Sequence, residues 1–204
     1  MILAEIEAEN FLEKEGFPVA RKAMIANKPQ LLTAVQNFGF PCVLKISSST
    51  ETHKAKIGGV KVLYSHDDIE KNWDGFEKTA KKFDGKIMLQ KFESGKELLV
   101  GLKKDPVFGH VLLLGIGGGY TEIIKDINFK ILHRKIGANE LMEMIKHLKN
   151  FKMIENCSLN SIVNVLFRTA SLVEKFQNIR ELDINPLIVN ENRAVVVDAR
   201  MIRD

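Results

Sequence analysis

The chain has 204 residues, of which 45% are hydrophobic and 27% are charged. This composition is typical of a folded globular protein with a sizeable core and excludes a disordered chain. The net charge of +4 is spread along the sequence, and no long basic block indicates nucleic acid binding. No apolar run approaches the roughly 18 residues of a membrane span, and the acidic residues 1–9 do not resemble a signal peptide. We therefore expect a cytoplasmic protein that binds neither nucleic acid nor membranes.

Helical periods alternate with strand-like runs from the start of the chain, which predicts an α/β or α+β architecture. Gly16 ends a first helix over residues 1–15, and a second helix lies between a cap at Asn27 and a stop at Gly39. A third helix and three strands complete the first half, with the helix at residues 67–83 and the strands at residues 41–46, 60–64 and 86–92.

The second half of the chain continues the alternation and contains the expected boundary between two lobes. We predict strands at residues 97–102, 111–116 and 121–132, helices at 138–149 and 158–177, and closing strands at 181–189 and 194–202. The segment from Gln90 to Gly95 separates a first lobe, residues 1–90, from a second lobe, residues 91–204. Cys42 and Cys157, the only cysteines, lie far apart in apolar surroundings, so we expect them to be packed rather than bridged.

The two closing strands predict a compact group of oxygen ligands. A turn centred on residues 191–192 places Asn185 opposite Asp198 and Asp183 opposite Arg200. Because strand side chains repeat every two residues, these four polar groups share one face, which suits a hard cation such as Mg²⁺. An exposed polar face with an Asp–Arg cross-strand pair explains the same pattern, and a turn of another length would break it. Apolar residues along both strands favour the site, because they anchor the hairpin in a core.

A lysine and a polar loop in the first half suggest phosphate binding. Lys45 ends an apolar strand, where its ammonium group could bind a phosphate or reach solvent. The following loop carries hydroxyl groups, cations and the pair Gly58-Gly59, which permits close approach to a phosphate. His53 in this loop is either solvated or chemically active. The loop matches neither a P-loop nor a dinucleotide fingerprint.

The glycine run at residues 115–119 gives a further candidate anion site. It follows an apolar strand, and both an anion-binding nest and a tight turn fit the composition. Glu122 follows this run. Glu97 comes shortly after Ser94-Gly95, where it could bind a ribose or simply be exposed.

Ten motifs in order resemble the ATP-grasp part of ADP-forming acyl-CoA synthetases. The match covers about residues 10 to 202, and its closing motif also resembles the related succinyl-CoA synthetase β subunit. The motifs are Lys45, His53-Lys54, Gly58-Gly59-Val60, residues 95–97, Gly101, residues 105–109, residues 115–118, residues 122–126, residues 181–187 and residues 197–200.

The resemblance implies an α+β protein with the ATP-grasp fold, in which two α/β lobes clamp ATP or ADP with Mg²⁺. It implies that Lys45 contacts the phosphates, that Glu97 lies near the sugar and that Asn185 and Asp198 hold Mg²⁺. It also implies that His53 carries a phosphoryl group and that Asp183 orients a phosphohistidine. The remaining residues expected to bind the nucleotide are Lys54, Gly58, Gly59, Gln90, Lys91, Phe92, Glu122 and Arg200.

The function implied by the resemblance is that of a β subunit which interconverts acyl-CoA, ADP and phosphate with a carboxylic acid, CoA and ATP. Such a subunit requires a CoA-binding α subunit, and we expect a heteromer of two α and two β subunits. A free-standing ATP-grasp ligase that joins a carboxylate to an amine is one alternative. Another is a nucleotide-binding regulatory module, because the family's His-Lys-Ser-Asp run reads His53-Lys54-Ala55-Lys56 here.

Overall fold

The computed structural model of the chain describes residues 1–48, 54–117, 126–133 and 135–204, without the side chains of residues 55 and 56. The chain forms two compact units. The inserted unit is Ala20–Glu93, and the terminal unit combines Met1–Val19 with Ser94–Asp204.

The described residues form five α-helices, two short 3-10 helices and eleven strands. The α-helices are α1 (Glu5–Lys14), α2 (Lys28–Phe38), α3 (His66–Lys82), α4 (Ala138–Lys146) and α5 (Leu159–Lys175). The 3-10 helices are Lys54–Ile57 and Phe151–Met153. The strands are β1 (Ile2–Leu3), β2 (Lys22–Ile25), β3 (Cys42–Ser47), β4 (Val60–Leu63), β5 (Lys86–Lys91), β6 (Lys96–Asp105), β7 (Gly109–Ile116), β8 (Ile127–Ile131), β9 (Ile179–Val189), β10 (Ala194–Val196) and β11 (Ala199–Arg203).

The inserted unit is an antiparallel sheet in the order β2-β5-β3-β4 with α2 and α3 packed against one face. Alternate residues of β3, Cys42, Leu44 and Ile46, point into this core and are fully buried. Trp73 and Phe76 of α3 meet them there. Burial of one such large side chain contributes about 1.5–3 kcal/mol, so these residues determine which face of β3 points into the core. The residues that alternate with them then lie on the opposite face of the sheet.

Helix α2 begins and ends where the sequence predicts. The side chain of Asn27 accepts a hydrogen bond from the backbone N–H of Gln30 at 3.0 Å, which satisfies one of the free donors of the first turn. Pro29 lies in that turn, where its missing N–H costs nothing. Gly39 closes the helix with φ of 70°, a left-handed conformation that favours glycine.

The terminal unit is a larger antiparallel sheet in the order β1-β11-β9-β6-β7-β8, with β10 paired to the end of β9. Apolar residues of α1, α4 and α5 pack with alternate strand residues to form its core. On the two long central strands these core residues include Leu98, Val100, Leu182 and Ile184. The residues that alternate with these core residues along each strand, such as Gly101 and Asp183, therefore belong to the opposite face of the sheet.

The first 19 residues depart from the predicted lobe of residues 1–90. Ile2 and Leu3 form β1, which pairs with Ile202 and Met201 of β11, and only Glu5–Lys14 is helical. Residues 1–19 therefore belong to the same unit as Ser94–Asp204. The short strand β2 was also not predicted, because its sequence Lys-Ala-Met-Ile has no clear alternation.

Both cysteines, Cys42 and Cys157, are free thiols. Cys42 is fully buried in the core of the inserted unit, as predicted, and burial raises the pKa of its thiol to about 11. Cys157 is half-buried.

Of the helices within the described ranges, none has both the length and the apolar character needed to cross a membrane.

Candidate functional site

The closing hairpin has the register predicted from the sequence. Val189 of β9 pairs with Ala194 of β10, and Asp183 of β9 pairs with Arg200 of β11. Between these pairs, the backbone N–H of Asn185 donates to the carbonyl oxygen of Asp198 at 3.1 Å. The prediction that Asn185 lies opposite Asp198, and Asp183 opposite Arg200, is confirmed.

This register gathers four polar residues on the sheet face that points away from the core. Leu182 and Ile184 are buried in the core, so Asp183 between them belongs to the other face, where Asn185 follows it at a spacing of two. Asp183 is half-buried and Asn185 is exposed. Asp198 and Arg200 stand opposite them on the neighbouring chain segment, and both are half-buried.

Negative charge is concentrated on this face. Burial is the main cause that raises the pKa of Asp183 to about 6, and the nearby carboxylates of Asp198 and Glu181 raise it further. The guanidinium group of Arg200 acts in the opposite direction but more weakly. Its Nε atom is buried and has no hydrogen-bond partner among the described residues. A bound cation would relieve the repulsion between the carboxylates. A bound anion would accept a hydrogen bond from the Nε–H group of Arg200.

The donor set fits a magnesium ion that arrives with a phosphate ligand. Within the described part of the chain, no group of three or more His, Cys, Asp or Glu residues is placed to hold a metal ion. The hairpin instead offers the carboxylates of Asp198 and Asp183 and the amide oxygen of Asn185. Protein sites for Mg²⁺ commonly supply one or two carboxylates and leave the other positions to water and substrate phosphates. The hairpin therefore suits a nucleotide-bound ion better than a permanently resident one.

We expect Asp183→Asn to stabilise the nucleotide-free protein at pH 8. The pKa of Asp183 in the folded state, about 6, lies above its ordinary value of 3.8, so the ionised carboxylate destabilises the fold. The cost is at most about 3 kcal/mol above pH 6 and is lost as the pH falls below the ordinary value of 3.8. Thermal unfolding at pH 8 should show a higher Tm for the variant, and at pH 3 the difference should largely vanish. A difference that is as large at pH 3, or one that Glu191→Gln at the exposed turn reproduces, would contradict this account.

The inserted unit buries a lysine on the face of its sheet opposite α2 and α3. Lys45 lies within β3, which continues to Ser47, so it does not end the strand as the sequence suggested. Its side chain is only 6% exposed, which rules out the alternative of a strand-end lysine that reaches solvent. Gln90 of β5, opposite Val43, is also buried on this face, as is Ser47. Buried polar and charged groups usually serve a specific partner, because their desolvation is costly.

Ser47 was not recognised as a candidate from the sequence. The predicted strand ends at residue 46 and leaves Ser47 in the loop, whereas the structure places Ser47 in β3 two residues after Lys45 and therefore on the same face. The strand period of two would have found it, had the strand been extended by one residue.

The turn after the predicted phosphate loop is compact. Lys54 begins a short 3-10 helix, and its carbonyl oxygen accepts a hydrogen bond from Gly59 N–H at 2.8 Å. Gly58 is exposed with φ of 70°, so a side chain there would be strained. The carbonyl oxygen of Gly59 accepts from Ile46 N–H at 2.8 Å, which ties the turn to β3. The glycine pair thus has a clear local role, and its predicted contact with phosphate stays a prediction.

The predicted nucleotide contacts at residues 90–92 differ in their surroundings. The ammonium group of Lys91 donates to the carbonyl oxygen of Phe38 at 2.6 Å, so this side chain stabilises the C-terminal end of α2. Phe92 is half-buried. Glu97, in the terminal unit, is the second residue of β6 and has an exposed side chain. His53 and Glu122 lie outside the residues that the structure describes.

Comparison with known proteins gives a family match along nearly the whole chain. A model of the ATP-grasp domain matches residues 1–202. Acetate–CoA ligase [ADP-forming] I of Archaeoglobus fulgidus is 32% identical, and the match covers 94% of this chain and 29% of that protein. The chain therefore spans less than a third of the length of this relative.

One further relative and one solved structure match over nearly their full length. The β subunit of acetate–CoA ligase [ADP-forming] I of Pyrococcus furiosus is 29% identical, over 98% of this chain and 91% of that subunit. A structure of the dinucleotide forming acetyl-coenzyme A synthetase 1 of Ca. Korarchaeum cryptofilum is 30% identical, with a TM-score of 0.85 over 100% of this chain and 93% of that one. That protein is in complex with coenzyme A and Mg-AMPPCP, and its phosphohistidine segment points towards the nucleotide binding site.

Proposed function

Because the chain belongs to the ATP-grasp family, we propose that it binds ATP or ADP with Mg²⁺ and transfers a phosphoryl group as part of an ADP-forming acyl-CoA synthetase. The overall reaction interconverts acyl-CoA, ADP and phosphate with a carboxylic acid, CoA and ATP. The Archaeoglobus and Pyrococcus relatives are both named as ADP-forming ligases, which supports this reaction class. The family match alone supports only the fold and nucleotide binding. Support for the reaction must also come from the residues of the site.

The proposed enzyme acts with a partner that carries the CoA-binding domains. The Pyrococcus relative, which matches this chain in length, is named as a β subunit, and this supports an assembly with an α subunit. The chemistry on CoA and the acid would then take place on the partner. We propose a heteromer of two α and two β subunits, with this chain supplying the nucleotide site.

The observation that carries the proposal is the register of the closing hairpin. It brings Asp183, Asn185, Asp198 and Arg200 to one sheet face, where two carboxylates repel each other and one guanidinium N–H has no partner among the residues that the structure describes. A magnesium nucleotide satisfies both needs at once. Asn185 and Asp198 would hold the ion, which offsets the charge of the phosphates when bound. Arg200 would donate to a phosphate oxygen.

Lys45 and His53 complete the proposed chemistry. Lys45 neutralises phosphate charge, which is the main protein contribution to phosphoryl transfer besides positioning. His53 attacks the terminal phosphorus of ATP with a neutral ring nitrogen, so a P–N bond forms as the bond to the leaving ADP oxygen breaks. In the direction of ATP synthesis the same bonds change in reverse, and the electron pair of the P–N bond returns to the imidazole. By the family resemblance, Asp183 is the residue that would orient a phosphohistidine.

Phosphorylation of the purified chain tests the proposal directly. The chain is incubated with ATP labelled at the γ-phosphate and Mg²⁺, and protein-bound label is then treated with acid and with base. A phosphohistidine is lost in acid and survives in base, whereas phosphoserine and phosphothreonine behave in the opposite way. Tight Mg-ATP binding without any label, both alone and with a CoA-binding partner, would favour the regulatory module instead. A CoA-independent ligation of an acid to an amine would favour the free-standing ligase.

We expect Lys45→Met to weaken ATP binding roughly 10- to 30-fold. The substitution keeps most of the buried stem and removes the charge that is proposed to contact the phosphates. Titration calorimetry with ATP and Mg²⁺ provides the measurement, and a thermal unfolding curve shows whether the variant is folded. Lys61→Met is the matched control, because Lys61 is exposed on β4 of the same sheet. Equal losses in the two variants would mean that Lys45 acts only through general charge.

A further inference from the structure

Asn190 uses every one of its polar groups at the end of the closing hairpin. Its side-chain oxygen accepts hydrogen bonds from the backbone N–H groups of Asn192 and Arg193 at 3.0 and 3.1 Å. Its backbone N–H donates to the carbonyl oxygen of Arg193, and its own carbonyl oxygen accepts from Ser158 N–H. The side-chain Nδ2 donates to the carbonyl oxygen of Ser94 at 3.1 Å.

The orientation of the Asn190 amide follows from these partners. Two backbone N–H groups can only donate, so the side-chain atom that faces them must be oxygen. The nitrogen is then directed towards Ser94, whose carbonyl group can only accept. The contact joins residues 96 positions apart in the sequence, so it links the hairpin to the segment that leads into β6.

Gly95, the residue after Ser94, packs closely against the same end of the hairpin. A Cβ atom added to Gly95 would lie 2.2 Å from the carbonyl oxygen of Val189, a distance that no side chain tolerates. Only glycine allows the chain to approach β9 this closely. The hydrogen bond from Asn190, the residue after Val189, therefore holds a segment that is already in backbone contact.

Glu97 is the functional residue that this arrangement supports. Its backbone pairs with Ile188 of β9, and its carbonyl oxygen accepts a hydrogen bond from Gly117 N–H at 2.7 Å. A Cβ atom added to Gly117 would lie only 3.1 Å from the carbonyl carbon of Glu97, so this contact is also close. The backbone of Glu97 is thus fixed on two sides, while its carboxylate remains exposed and available to a ligand.

We infer that Asn190 is a positioning residue that holds the Ser94–Glu97 segment so that the carboxylate of Glu97 meets the ribose hydroxyl groups of the bound nucleotide. The inference rests on the proposed function, and on the place near the sugar that the family resemblance implies for Glu97. Asn190 itself touches no ligand in this arrangement. It acts through the hydrogen bond to Ser94.

Asn190→Asp separates this role from the role of Asn190 in the turn. The aspartate keeps the acceptor for Asn192 and Arg193 but cannot donate to Ser94. Binding of ATP and of 2′,3′-dideoxy-ATP, each with Mg²⁺, is measured by titration calorimetry for the wild-type protein and the variant. The wild-type protein should prefer ATP. The variant should bind ATP roughly three- to ten-fold more weakly than the wild-type protein does. Its affinity for 2′,3′-dideoxy-ATP should be unchanged, because this sugar has no hydroxyl groups that Glu97 could bind.

Two comparisons make the result decisive. Asn192→Asp places the same charge at the exposed turn and should leave the preference for ATP intact. A variant Asn190→Asp that weakens both nucleotides equally, or neither, overturns the inference, since general repulsion or a damaged fold would not distinguish the two sugars. Failure of the proposed function would look different, because the wild-type protein would then bind neither nucleotide. Equal binding of both nucleotides by the wild-type protein would overturn the ribose contact of Glu97, and the inference with it.

Discussion

Replacing Asp198 by Asn is expected to weaken binding of Mg-ATP by about 100-fold or more. Asp198 stands opposite Asn185 in the closing hairpin and supplies the carboxylate proposed to bind Mg²⁺ directly. The amide keeps the shape and one oxygen ligand but removes the negative charge. Even residues that only support a metal ligand typically account for 10- to 100-fold in affinity, so loss of the charged ligand should cost at least as much.

The magnesium dependence identifies the cause of this effect. Affinity for ATP is measured with Mg²⁺ and again with EDTA in wild-type protein and variant. The two proteins should differ strongly with Mg²⁺ and little without it. Glu191→Gln removes an exposed carboxylate from the turn of the same hairpin and should leave Mg-ATP binding unchanged. An Asp198→Asn variant with wild-type Mg-ATP affinity would refute the metal site on this face.

Replacing His53 by Ala should abolish the acid-labile, base-stable phosphate on the chain. Alanine offers no nucleophile, so the decrease should be at least about 1000-fold and limited by the background of the assay. Affinity for Mg-ATP should change by no more than about three-fold, because His53 is proposed to receive the phosphoryl group and not to bind the nucleotide. The variant should also fail to support ATP formation from acyl-CoA, ADP and phosphate with the partner subunit.

His133→Ala provides the control for this variant. His133 is exposed in the terminal unit and has no proposed role. Its replacement should leave the label intact. Undiminished label on the His53→Ala protein would show that another residue carries the phosphoryl group, and peptide mapping of the labelled protein would then locate it.

Local rules predict the hairpin and the helix boundaries well. The register of the closing strands follows from a two-residue turn, because each further pair is then fixed by the antiparallel ladder. Helix α2 is defined within a few residues by the Asn27 cap and the Gly39 stop. Both features depend on contacts between residues that are close in sequence or joined by one turn, and such contacts leave a readable pattern.

Features that depend on distant parts of the chain were not predictable in the same way. The burial of Lys45 depends on which other parts of the folded chain cover its side chain, and the periodicity of the strand does not reveal them. The local pattern predicts that Ile2 and Leu3 belong to the first helix, because it does not show that they pair with Ile202 and Met201 of β11. The raised pKa of Asp183 comes mainly from burial and then from the nearby carboxylates of Asp198 and Glu181. Each of these properties is set by tertiary structure, which overrides local propensity.

The thiol of Cys42 offers a natural reporter for the inserted unit. It is fully buried on the core side of β3, three residues before Lys45, and its raised pKa keeps it protonated near neutral pH. A thiolate-selective reagent can therefore modify it only during transient opening of this sheet. The rate of modification then measures how often the strand that carries Lys45 is released from its neighbours, without any introduced label.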